Sequence, residues 1–131
     1  MSTMRAVRVD SCGGPEQMSI REVPRPEPGP GEVRICLSAC GINLIDTYHR
    51  SGLYPLALPT GLGCEGAGRV DAIGDGVDDL NVGERVGFAM AMGAYAEAIV
   101  LPRSALVKIP DAVTDEEVAA VLLKAMTVDY L

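Results

Sequence analysis

Short runs in which apolar and polar residues alternate, separated by glycine and proline, predict strands over residues 4–9, 18–23, 33–40, 68–73, 85–89 and 95–101. Val33, Ile35, Leu37 and Ala39 alternate with Arg34, Cys36 and Ser38, the two-residue period of a strand with one face in a core. The pattern predicts a mainly β fold with short helices, its antiparallel strands closing a small, partly open barrel. Pro24, Pro26, Pro28 and Pro30 lack the N–H donors a sheet ladder needs, so this stretch reads as an extended connector.

Two helical pieces interrupt the β pattern. The first covers about 43–51, with Asn43 as N-cap and Gly52 as its stop. The second opens at Thr114-Asp115-Glu116-Glu117, a capping box, and continues with Val118, Val121 and Leu122 on one helical face. Residues 124–131 again look helical, and no glycine, proline or basic turn ends them. The expectation is one domain over 1–131, with 114–131 beginning a helical connection toward a further domain. Leu122, Leu123, Met126 and Leu131 give that end an apolar surface, through which self-association into a homo-oligomer is the expectation.

Charge narrows the partners. Eleven Lys plus Arg against 18 Asp plus Glu give a net charge of -7, which opposes nonspecific binding to nucleic acid or anionic membranes and leaves a small molecule as the expected partner. No apolar run approaches the roughly 20 residues of a membrane span. The start of the chain reads as a strand rather than a signal peptide, so the expected location is cytoplasmic. Cys12, Cys36, Cys40 and Cys64 form no C-x-x-C pair and read as reduced thiols. Cys36 and Cys40 are expected to be buried small hydrophobes rather than metal ligands.

Polar side chains gather between Cys40 and Pro55, around a turn and a short helix, the kind of place active sites favour. Read by itself, Asn43 can be simply a helix cap. Tyr48 and Tyr54 can pack on the barrel, and His49 is an ordinary solvated imidazole. Asp46 and Arg50, at i and i+4, read as a supporting pair. Glu65 reads as a brace for a turn, and Thr127 as a hydroxyl bonded back to its own helical turn.

The same stretch, G-I-N-x-I-D-T-Y-x-R-S-G-L-Y-P from Gly41, resembles the zinc-independent quinone oxidoreductase branch of the medium-chain dehydrogenase/reductase superfamily. The resemblance continues through Gly61 to Val70, Val82 to Val86, Gly93-Ala94-Tyr95 and Leu123 to Val128. It implies a GroES-like amino-terminal domain that faces a Rossmann domain across a cleft. It also implies NADPH as cofactor and a quinone or activated carbonyl compound as substrate. Asn43, Tyr48 and Tyr54 then line the cleft as catalytic candidates, and Asn43, Tyr48 and Thr127 meet the cofactor. Zinc-dependent members carry Cys where Asn43 stands and His where Cys64 stands, so the resemblance implies no zinc.

A quinone is already electron-poor, and hydride delivery to it needs alignment and donors for the oxygen that gains charge rather than a Lewis acid. No Gly-rich turn of the dinucleotide-binding type opens a helix in this sequence: the glycines at 61, 63, 66 and 68 precede a strand, and Gly74-Asp75-Gly76 is a turn between acidic residues. The expectation is therefore a substrate-side domain, truncated and inactive alone. The alternative is a stand-alone, non-catalytic binding or interaction module of GroES-like fold.

Overall fold

The computed structural model describes residues 1–131. Strands β1 (Thr3–Val9) and β2 (Met18–Pro24) form an antiparallel hairpin joined through a 3-10 turn at Pro15–Gln17. Strands β3 (Glu32–Cys40), β4 (Glu65–Ile73), β5 (Arg85–Ala89), β6 (Ala98–Pro102) and β7 (Val107–Lys108) make an antiparallel sheet in the order β6-β3-β4-β5-β7. Helix α1 (Leu44–Ser51) lies between β3 and β4, and helix α2 (Asp115–Tyr130) follows β7. The sheets do not close on one another, and β1 is tied to the rest by short bridges, among them Val7 N–H donating to Tyr95 O at 2.8 Å.

Val33 and Ile35 enter the main core with Val70, Leu80, Val86, Phe88 and Leu101, as their alternation requires. The alternation then breaks. The register passes from Leu37 opposite Gly68 to Ala39 opposite Ala67, a β-bulge at Ser38. Leu37 stays with the main core, whereas Ala39 packs on a second cluster of Ala67, Ile109, Val118 and Ala119 that seats α2 on the sheet. Gly87 makes room for that helix, since a Cβ there would stand 2.6 Å from Val118 Cγ1.

Several expectations change. Cys36 and Cys40 are exposed rather than buried: Cys36 alternates with core-facing Ile35, and Cys40 lies past the bulge at a pocket edge. Only Cys64 is buried. The fourth strand begins at Glu65, not residue 68, so Gly66 and Gly68 lie within it. Gly68 is required there because a Cβ would meet Cys36 O at 2.1 Å. Residues 95–97 are bridged loop rather than strand, and the two-residue β7 was too short to predict. The two carboxy-terminal helical pieces form one continuous helix, in which Val118 is buried but Val121 is 54% exposed. Past Pro24, which ends β2, the proline run forms no regular structure through residue 29 and turns at 30–31. It is held by Arg25 and Arg34, both donating to Asp71 at 2.8 and 2.7 Å, and by the Arg34–Glu27 ion pair at 2.7 Å.

Candidate functional site

Asn43 ends the β3–α1 turn in extended conformation and stands as N-cap of α1. Its backbone N–H donates to the Asp46 carboxylate at 2.9 Å, the reach-back half of a capping box. Its side-chain amide turns the other way, Nδ2 donating to Glu65 Oε1 at 3.0 Å. Asn43 is thus held between two carboxylates, both buried.

Burying a carboxylate is costly unless donors surround it. Asp46 has three: the Asn43 N–H, the Tyr95 hydroxyl at 2.6 Å and the Cys64 thiol at 3.6 Å. This replaces the expected Asp46–Arg50 pair. Arg50 instead donates through Nε to Gly13 O at 3.3 Å, because Asp46 faces inward while Arg50 reaches the 3-10 turn side of the hairpin. Burial and the adjacent Asp46 push the Cys64 thiol up to about 11 and raise the Tyr95 hydroxyl further.

Glu65, with no exposed surface, also has three donors. Besides Asn43 it accepts from Leu123 N–H at 2.6 Å and Lys124 Nζ at 2.7 Å. Glu65 does not brace a turn, as the sequence suggested; it opens β4 and clasps α2 to α1. Gly41 leaves space for it, since a Cβ at Gly41 would stand 2.3 Å from Oε1.

Two concavities flank this clasp. One, of about 380 Å³, is lined by Cys40, Ile42, Asn43, Arg50, Leu62 and Tyr95 among others. The other, of about 640 Å³, is lined by Ala89, Met90, Leu123, Met126, Thr127 and Tyr130 among others. Met90 holds φ 62, the one positive value outside glycine, where the chain leaves β5 at the rim of the second groove. The chain Asn43–Glu65–Leu123 joins the two, and Thr127 hangs one turn beyond, its hydroxyl donating to Leu123 O at 2.9 Å. Tyr48 and Tyr54 form an edge-to-face pair at 5.3 Å outside the lining of either groove, with Tyr54 48% exposed. His49 packs edge-on to Tyr54 at 6.1 Å and its Nδ1 is buried without a partner, so it is not the solvated imidazole expected. The structure therefore joins Asn43 to Thr127 through Glu65 and pairs the tyrosines with each other, but does not gather all four around one cavity.

The sequence does not single out Asp46, Tyr95 or Lys124 as site residues, and it reads Glu65 first as a turn brace, with a place on the cleft floor implied only by the resemblance. The available signal was a charged residue, Glu65, inside the glycine-rich and otherwise uncharged run from Gly61 to Gly68. His, Cys, Asp and Glu side chains nowhere gather in threes able to hold a metal ion.

The profile of the alcohol dehydrogenase GroES-like domain matches residues 29–111. The quinone oxidoreductase of Pseudomonas aeruginosa is 48% identical over 129 residues, covering 97% of this chain and 40% of that protein. A 2-haloacrylate reductase of a Burkholderia species is 40% identical, covering 96% and 40%. The crystal structure of Escherichia coli quinone oxidoreductase complexed with NADPH superposes with a TM-score of 0.94 at 40% identity, covering 96% of this chain and 39% of that one. The chain thus spans about 40% of the length of the curated relatives it matches. No helix is long and apolar enough to cross a membrane. The chain belongs to the alcohol dehydrogenase GroES-like domain family, and the relatives it resembles over nearly its whole length include quinone oxidoreductases.

Proposed function

We propose that the chain is the substrate-side domain of an NADPH-dependent quinone oxidoreductase and works together with a nucleotide-binding domain. The observation that carries this reading is the fixed Asn43 amide at the edge of a largely apolar pocket, in a chain that matches quinone oxidoreductases over nearly its whole length. An uncharged amide donor lining a pocket whose exposed walls are mostly apolar suits a neutral, flat acceptor whose oxygen gains charge during reduction.

The second groove fits the nicotinamide end of the cofactor in chemistry: apolar walls from Ala89, Met90, Leu123 and Met126, and one hydroxyl from Thr127. Of the residues assigned to hold that end, Thr127 lines this groove, whereas Asn43 lines the first groove and Tyr48 lies outside the lining of both. When bound, NADPH supplies the hydride. Asn43 donates to the substrate oxygen and thereby orients the ring. The exposed Tyr54 edge and its partner Tyr48 offer aromatic surface and phenolic donors to one side of it. The exposed apolar side chains of α2, Met126, Val128 and Tyr130, are assigned to the contact with the nucleotide-binding domain. An activated alkene or carbonyl compound would use the same donors.

Titration of the chain with duroquinone, followed by amide and aromatic NMR signals, tests the site. The ring of duroquinone is fully methylated, so the exposed cysteines cannot add to it. Perturbations centred on Asn43, Tyr48 and Tyr54 are expected, with millimolar affinity. Perturbations centred elsewhere, or none at saturation, would remove the assignment.

A further inference from the structure

Glu65 is not used by the reaction as described, yet it is a wholly buried carboxylate placed between the two grooves. Its three donors come from two places in the fold: Asn43 at the N-cap of α1, and both Leu123 and Lys124 in the interior of α2. A backbone N–H from the middle of a helix directed at a side chain is uncommon, because such groups normally bond within the helix. Gly41 is needed for the arrangement, since a Cβ there would also stand 2.2 Å from Ala119 O on α2.

An asparagine amide can sit either way round in a pocket, with nitrogen and oxygen exchanged. A carboxylate is an acceptor only, so at 3.0 Å from Glu65 Oε1 the nitrogen of Asn43 faces Glu65 and the oxygen cannot. One of the two Nδ2 hydrogens is thereby taken, and the other is left in a fixed direction. We infer that Glu65 is a positioning residue: by clasping Asn43 and α2 together, it fixes the Asn43 amide so that its remaining N–H is presented to the ligand's oxygen. The inference rests on the reading of Asn43 as a ligand contact. It adds that this contact is set by where α2 sits, so a shift of the helix bearing Thr127 reorients Asn43.

The test uses the 131-residue chain itself. Its only carboxamide side chains are Asn43, Asn81 and Gln17, which makes the side-chain NH₂ signals assignable. In the unliganded wild type, the Asn43 pair should be split, with one proton shifted downfield and slow to exchange, while exposed Asn81 gives an ordinary pair. An Asn43 pair indistinguishable from that of Asn81 would overturn the inference, whatever the variants do.

Duroquinone affinity is then compared across wild type, Glu65→Gln, Asn43→Ala and the double variant. Each single change should weaken binding roughly tenfold, and the double variant no more than either, because Glu65 acts through Asn43. Equal weakening by Glu65→Gln in the presence and absence of the Asn43 side chain would mark a general structural role and overturn the inference. If Glu65→Gln lacks a cooperative thermal transition, the wild-type amide signals decide alone. A wild type that binds no duroquinone at Asn43 instead fails the assignment of the site, and the amide signals still decide whether Glu65 fixes Asn43.

Discussion

Asp46 and Tyr95, 49 residues apart, meet in a 2.6 Å hydrogen bond that ties the first turn of α1 to the loop before β6. Asp46 is buried, so removing this donor leaves part of its acceptor capacity unmet. Tyr95→Phe should therefore cost about 1–3 kcal/mol, read by urea denaturation. Gly63→Ala should act on the same contact from behind, because a Cβ there would stand 2.5 Å from the Tyr95 ring and Gly63 holds φ +85.

Stability should fall on the alkaline side. The Cys64 thiol ordinarily ionises near 9.0, and burial beside Asp46 pushes it up to about 11 in the folded chain. The folded state thus holds this proton more tightly than the unfolded state, so the contribution is complete below pH 9 and is lost as pH rises through about 11. Tyr95, also raised by burial and then by its bond to Asp46, acts in the same direction. Urea midpoints measured from pH 8 to 11 should decline, and Cys64→Ala should make the decline shallower. The same environment should leave Cys64 the last of the four thiols to react with an alkylating reagent, since the other three are exposed.

On the acid side, Asp71 is the group to follow. Its hydrogen bond to Arg25, and then that to Arg34, holds its carboxyl below the ordinary 3.8, so its contribution is present above that value and is lost as pH falls below it. Asp71→Asn should lower stability at neutral pH by about 1 kcal/mol, a modest figure because the carboxylate is 32% exposed. The variant should also free the proline connector, measured as faster proteolysis between residues 24 and 31.

Gly68→Ala should be among the most damaging single changes, at about 3 kcal/mol, because the new Cβ meets backbone rather than a mobile side chain. Gly76→Ala, at φ +82 with open space around it, should cost only about 1 kcal/mol. Equal losses in denaturation would contradict the close β3–β4 approach at the Ser38 bulge.

Much of the fold was legible in local patterns. Thr114 and Glu117 cap α2 as their spacing requires, Gly52 ends α1 in the left-handed region, and Val33 and Ile35 fill the core. Local patterns stop at the Ser38 bulge, which inserts one residue into β3 and sends Ala39 to a different cluster from Leu37. The site was legible only as residue types. Asn43 was identified, but what holds it comes from Asp46, Glu65 and two elements far along the chain, and spacing on one helix suggested Arg50 as the partner of Asp46 instead. Pairing at i and i+4 is worth only about 0.2–0.5 kcal/mol, less than the cost of leaving a buried carboxylate without donors, so the tertiary partners Tyr95 and Cys64 prevail.

The most direct test of the central claim is NADPH oxidation with duroquinone by this chain joined to the part of the Pseudomonas aeruginosa relative that lies outside the match. The expected result is quinone-dependent turnover that falls by about a hundredfold or more in Asn43→Ala, the size of effect of removing one donor to a developing oxyanion. A joined protein that folds and binds NADPH yet reduces no quinone, or one whose rate is untouched by Asn43→Ala, would contradict the account.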